Sequence, residues 1–158
     1  MRIVTWNVNS LKARLPRVEE WLTDVRPDVV CLQETKLADG AFPALAFEAL
    51  GYEGAHHGEG RWNGVAILSL LPLEDVQIGF EALLPADPEV TGLSEQKRVI
   101  SALIDGIRVL NLYVPNGSFS APGTVGTIYI VYQSDASDLV AGDANGATDI
   151  FRTVVDLV

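Results

Sequence analysis

The hydrophobic positions change period along the chain, and each change marks an element. In Arg2-Ile3-Val4-Thr5-Trp6-Asn7 apolar and polar positions alternate and then give way to polar ones, as in a strand whose side chains point in turn to two faces. Leu15, Val18, Trp21, Leu22 and Val25 then recur at helical spacing. Pro16 suits the first turn of that helix, where no N–H is needed, and Arg26-Pro27 stops it. Asp28-Val29-Val30-Cys31-Leu32-Gln33-Glu34 holds four apolar residues in a row, which fits a strand covered on both faces. Strand, helix and strand within about thirty residues form a βαβ unit, whose crossover is expected to be right-handed.

A second helix is predicted over 42–50, closed by Gly51 as a left-handed cap. Gly64-Val65-Ala66-Ile67-Leu68-Ser69 predicts another buried strand. Two further strands, 98–104 and 107–114, flank Asp105-Gly106, a strong signal for a tight hairpin because both turn positions need positive φ. The pattern is that of an α/β chain, a mixed sheet with helices outside it. From Ser118 onward Gly, Ser, Ala, Thr and Asp dominate and no helical period survives, which places a boundary at residues 116–117.

Composition narrows the picture. A chain of 158 residues, 48% apolar, can bury one real core and is short for two domains, so one compact, soluble, monomeric unit is expected. No apolar run reaches the ~20 residues of a membrane span, and the amino terminus lacks a signal peptide's apolar stretch, so the expected location is cytoplasmic. Cys31 is the one cysteine; inside its apolar run it is expected to be a buried small hydrophobe.

The net charge of -10 sits awkwardly with a nucleic-acid partner, whose phosphates are met by Lys and Arg. Residues 1–117 hold 10 basic and 16 acidic side chains, and 118–158 hold one and five. Lys12, Arg14 and Arg17 cluster after the first strand, with Lys36 after the second. They predict either a local positive rim or simply a solvated helix face.

Asn7 and Glu34 fall at the carboxyl ends of the first two strands, where α/β sheets open into a crevice. If those strands are neighbours, an amide oxygen and a carboxylate converge, a hard-oxygen setting suited to Mg²⁺. The alternative is that Asn7 caps a turn and Glu34 caps the segment after it.

Four blocks decide between these. Met1-Arg2-Ile3-Val4-Thr5-Trp6-Asn7-Val8-Asn9-Ser10-Leu11, Asp28-Val29-Val30-Cys31-Leu32-Gln33-Glu34-Thr35-Lys36, Trp62-Asn63-Gly64-Val65-Ala66-Ile67-Leu68-Ser69 and Asn111-Leu112-Tyr113-Val114-Pro115-Asn116-Gly117 resemble, in order, the amino-terminal half of exonuclease III type apurinic/apyrimidinic endonucleases of the endonuclease/exonuclease/phosphatase superfamily. Any one block is weak, and four in order are specific. The resemblance implies half of a four-layer α/β sandwich, here followed by a β-rich tail. It implies Mg²⁺-dependent (or Mn²⁺-dependent) phosphodiester hydrolysis on abasic or 3′-end DNA. Glu34 is then the principal metal carboxylate, Asn7 holds the metal or its water, Tyr113 contacts the scissile phosphate or helps orient the nucleophile, and Lys36 and Asn116 lie near the DNA backbone.

That family also needs a Gly-Asp-x-Asn block with the water-activating aspartate, a later aspartate and a terminal aspartate-histidine pair. The chain's two histidines, His56 and His57, fall early, in what is expected to be a loop, and match none of these. Gly142-Asp143-Ala144-Asn145 has the required form, making Asp143 a candidate base and Asn145 its partner, although only 30 residues separate Asp143 from Tyr113 and the family's intervening helix is absent. Alternatively, 127–151 resembles one repeat of bacterial extracellular β-propeller-like proteins, in which Asp143, Asn145 and Asp149 form a turn or a weak calcium loop. The expectation divides between a working nuclease and a truncated or fused non-catalytic remnant.

Overall fold

The computed structural model describes residues 1–80 and 94–114, together with the strand segments 127–132 and 152–156. In chain order the described elements are β1 (Arg2–Asn7), α1 (Leu11–Val25), β2 (Val29–Gln33), a 3₁₀ turn (Asp39–Ala41), α2 (Ala44–Ala49), β3 (Glu53–His57), β4 (Val65–Ser69), β5 (Glu74–Ile78), β6 (Val99–Ile104), β7 (Ile107–Tyr113), β8 (Thr127–Tyr132) and β9 (Arg152–Asp156).

The strands form two sheets, in the orders β3-β4-β2-β1-β9 and β5-β6-β7-β8. β1 pairs with β2 in parallel, with Asn7 opposite Gln33, as the βαβ reading requires. β7 and β8 are also parallel, and the remaining pairs are antiparallel. The alternation of the strands sorts side chains into two cores. Ile3, Val29, Cys31, Val65 and Ile67 face the second sheet, where they meet Ile100, Ala102, Ile104, Val109 and Tyr113. Trp6, Val30, Leu32, Ala66 and Leu68 face the opposite way, onto Leu11, Val18 and Leu22 of α1 and Phe47 of α2. The described layers are therefore helices, five-stranded sheet and four-stranded sheet. The unbroken apolar runs of β2 and β4 follow directly, since both of their faces are covered.

Three expectations needed correction. α1 begins at Leu11, so Pro16 lies well inside it rather than in its first turn. The carbonyl left without a donor is that of Lys12, and both Lys12 and Pro16 are exposed, so water can serve it. The helix start has no side-chain cap. Instead the backbone N–H groups of Ser10 and Leu11 donate to the carbonyls of Glu34 and Thr35, at 2.8 and 2.9 Å. α2 starts at Ala44, because Pro43 disfavours the α region for Phe42, whose backbone is extended; Gly51, at φ 87°, does close it. Finally, Ala55, His56 and His57 belong to a strand, β3, which pairs with β4. Its sequence, Glu-Gly-Ala-His-His, lacks the β-branched alternation by which a strand is recognised.

The hairpin turn forms as predicted, with φ of 50° at Asp105 and 75° at Gly106. Among the described residues no helix is long and apolar enough to cross a membrane.

Candidate active site

Three strand ends converge on one carboxylate. Glu34 directly follows β2, is only 7% exposed, and its Oε1 accepts hydrogen bonds from the Asn7 amide nitrogen at 2.8 Å and the Tyr113 hydroxyl at 3.0 Å. Asn7 closes β1 in the first sheet, whereas Tyr113 closes β7 in the second. The Glu34 side chain therefore joins the two sheets at one end of the molecule.

Asn7 forms the local turn that the sequence offered as one alternative, and it is its amide nitrogen, not its oxygen, that faces Glu34. Its oxygen accepts from the Asn9 backbone N–H at 2.9 Å, which makes a local turn, while its nitrogen holds Glu34. Behind this pair lies a buried amide relay. The Asn111 amide nitrogen donates to the Leu32 and Ala66 carbonyls, at 2.9 and 2.8 Å, and this fixes its oxygen toward the Gln33 amide nitrogen at 2.7 Å. Gln33 also reaches Thr5 Oγ1 at 2.9 Å. A relay this buried holds the sheets at one register, because unmaking any of its bonds strands a desolvated polar group.

Lys36 touches the carboxylate, and two arginines lie against its neighbours Asn9 and Tyr113. Lys36 Nζ lies 3.0 Å from Glu34 Oε2 and also bonds Asn9 Oδ1. Arg14 donates to the Asn9 carbonyl. The Arg98 guanidinium sits 5.7 Å from the centre of the Tyr113 ring, a cation–π distance. Lys12 and Arg17 are exposed on α1. Asn9 stands inside a block that the sequence singled out, but nothing in the local pattern around Arg98 signals its position.

The loops at this end carry left-handed backbone at Asn9, Glu34, Lys36, Asn63 and Lys97, with φ between 39° and 53°. Each such residue costs about 1–3 kcal/mol and persists only where its surroundings enforce it. Here they do: Thr35 and Lys36 donate backbone bonds to Gly64 and Asn63 at 3.1 and 3.0 Å, and Gly64 donates to Lys97 at 3.1 Å. Next to these loops, His56 bonds Thr35 Oγ1 and Asp39 Oδ1, both at 2.8 Å. Burial of the imidazole holds its pKa below the ordinary value, against the opposing pull of Asp39.

Of the residues picked from the sequence, Asn7, Glu34, Lys36 and Tyr113 are brought together. Asn116, Asp143, Asn145 and Asp149 lie outside the described residues. Among the described residues no group of three or more His, Cys, Asp or Glu is assembled. Glu34 is the carboxylate at this place, and its Oε2 is paired with the Lys36 ammonium.

Comparison with known proteins places the fold in a family. The chain is 37% identical over 128 residues to exodeoxyribonuclease III of Haemophilus influenzae, a match covering 78% of this chain and 45% of that protein. Among solved structures, an AP endonuclease from Archaeoglobus fulgidus superposes with a TM-score of 0.64 at 42% identity, covering 73% of this chain and 41% of the other. A Neisseria 3′ phosphatase bound to product DNA hairpin gives 0.61 at 46% identity, over 71% and 40%. The chain thus spans less than half the length of these relatives. Nucleases of this kind generally use divalent metal ions. Residues 4–147 match the model of the Endonuclease/Exonuclease/phosphatase family, and the chain belongs to that family.

Proposed function

We propose that this chain hydrolyses DNA phosphodiesters with Mg²⁺, acting at abasic sites or 3′ ends. The observation that carries the reading is the buried Glu34 carboxylate, held by Asn7 and Tyr113 from two different sheets and paired with Lys36. Glu34 and Asn7 would hold the ion. When bound, it supplies charge neutralisation at the phosphoryl oxygen and at the leaving 3′ oxygen. Phosphoryl transfer is chiefly positioning and electrostatics, and the backbone around Glu34, held by bonds with Ser10, Leu11, Asn63 and Gly64, suits it. The Tyr113 hydroxyl is a donor already aimed into the site, able to pass from Glu34 to a phosphate oxygen. Lys36 and Asn116 are assigned to the DNA backbone, and Asp143, oriented by Asn145, is assigned to take the proton of the attacking water. The protein is proposed to act as a cytoplasmic monomer with a nuclease-like part over 1–117 and a tail over 118–158.

Incubation of the purified chain with an abasic duplex and Mg²⁺ tests this: cleavage is expected, and loss of it in Glu34→Ala. Cutting no faster than that variant would end the proposal.

The short span relative to known members favours a second reading, a non-catalytic remnant that keeps only the cation site. It predicts no turnover but a Mg²⁺ or Mn²⁺ thermal shift that Glu34→Ala removes. Identical melting curves with and without the ions would dismiss it.

A further inference from the structure

The Glu34–Lys36 segment is an improbable piece of backbone. Two of its three residues are left-handed, neither is glycine, and the one between them, Thr35, is completely buried. Thr35 is gripped on every side. Its N–H donates to Gly64, its carbonyl accepts from Leu11, and its hydroxyl lies 2.8 Å from His56 Nε2. Gly64 approaches so closely that a Cβ there would stand 2.2 Å from the Thr35 hydroxyl oxygen.

His56 is equally constrained. Its side chain is 3% exposed, and its ring stacks on Phe42 at 4.6 Å between centroids and 12° between planes. Its Nδ1 faces Asp39 Oδ1, which also accepts from the Gly58 N–H at 2.8 Å. A carboxylate oxygen accepts, so Nδ1 carries the proton. Nε2 is then the acceptor of the Thr35 O–H. Asp39, His56 and Thr35 form an acid–imidazole–hydroxyl array resembling those that activate nucleophiles, but a hydroxyl with no exposed surface cannot attack a substrate. The array has another use.

We infer that His56 is a positioning residue: through Thr35 it fixes the left-handed backbone that aims Glu34 and Lys36 into the candidate site. The 3₁₀ turn through Asp39, β3 through His56 and the segment after β2 through Thr35 are tied in one line ending beside the carboxylate. Removal of an outer partner of a metal-holding group commonly weakens metal affinity about 10–100-fold. The inference deepens the proposed function and rests on it where metal is concerned, but its structural core does not need metal.

The test therefore uses two readouts on the full chain. In the absence of metal, the backbone amide resonances of Glu34 and Lys36 are followed by NMR in wild type, His56→Phe, Thr35→Val and Thr35→Ser. Phe keeps a ring to stack on Phe42, Val replaces the hydroxyl by a methyl, and Ser keeps the hydroxyl. Both resonances are expected to move in the first two variants and to hold in the serine variant. Thr35→Val carries the test should His56→Phe not fold. Unmoved Glu34 and Lys36 resonances in Thr35→Val overturn the inference. In the second readout, Mn²⁺ binding is expected to weaken roughly tenfold in His56→Phe and Thr35→Val and to be restored in Thr35→Ser. If wild type binds no Mn²⁺, the cation reading fails and the resonances alone decide the positioning role. If all four proteins bind equally, the cation reading stands and the positioning role falls.

Discussion

Two left-handed stretches of backbone invite comparison. The hairpin turn at Asp105 and Gly106 and the segment from Glu34 to Lys36 share nearly the same positive φ values, yet they are held in opposite ways. The hairpin turn is exposed, and a Cβ added at Gly106 meets nothing within 4 Å. Its two residue types prefer that geometry on their own, so the turn is specified locally. Glu34 and Lys36 have no such preference, and their conformation is imposed by β1, β4, the loop at Lys97 and His56. Strain at the first place is absorbed by the residues themselves, and at the second by the whole fold.

This difference is open to attack by substitution. The largest effect is expected for Asn111→Leu, which strips partners from the Leu32 and Ala66 carbonyls and from Gln33 just before the imposed segment. Two carbonyls that lose a buried donor, at about 1–3 kcal/mol each, suggest a loss of roughly 4 kcal/mol in urea unfolding, while Gln33 keeps its bonds to Thr5 and Cys31. A loss below about 1 kcal/mol would mean that the amide relay does not hold the sheets together. Next comes Gly64→Ala, whose Cβ would strike the Thr35 hydroxyl at a φ of 88°. Overpacking and left-handed cost together suggest about 3 kcal/mol. Gly106→Ala should cost only about 1 kcal/mol, the left-handed penalty alone. If the two glycine variants proved equally costly in the same denaturation series, the contrast between local and imposed strain would collapse.

The smallest effect concerns pH. Burial lowers the folded-state pKa of His56, with Asp39 pulling the other way and His57 adding to the depression. In the unfolded chain His56 takes up a proton near 6.5, which the folded chain resists. Stability is therefore fully present above that value and declines as pH falls toward the depressed one. The thermal midpoint of wild type should drop more steeply on acidification than that of His56→Phe. Parallel curves would show that the ring titrates freely in the folded protein.

The same contrast explains what the sequence could disclose. β2 and β4 were legible because burial on both faces writes an unbroken apolar run, and the hairpin because Asp105 and Gly106 suit a turn by themselves. Asn7 and Glu34 stood out as polar residues ending buried strands. The start of α1 was missed because carbonyls at the end of β2, not a capping side chain, satisfy its first N–H groups. β3 carries no alternation to read, and in β5 the alternating Val76 and Ile78 are exposed rather than turned to a core. Arg98 enters the site only through the pairing of β6 with β7, and His56 only through the pairing of β3 with β4. Contacts of that kind have no local signature.

Cys31 lies between the two sheets, completely buried, and that burial raises its thiol pKa far above the ordinary value. Thiolate is the reactive form, so the native protein presents no nucleophilic sulfur to maleimides or disulfide reagents at neutral pH. A cysteine introduced at an exposed position such as Trp62, which is 69% accessible, would then be the sole labelling point. Spin or fluorescent probes could be attached there without removing any residue of the interior.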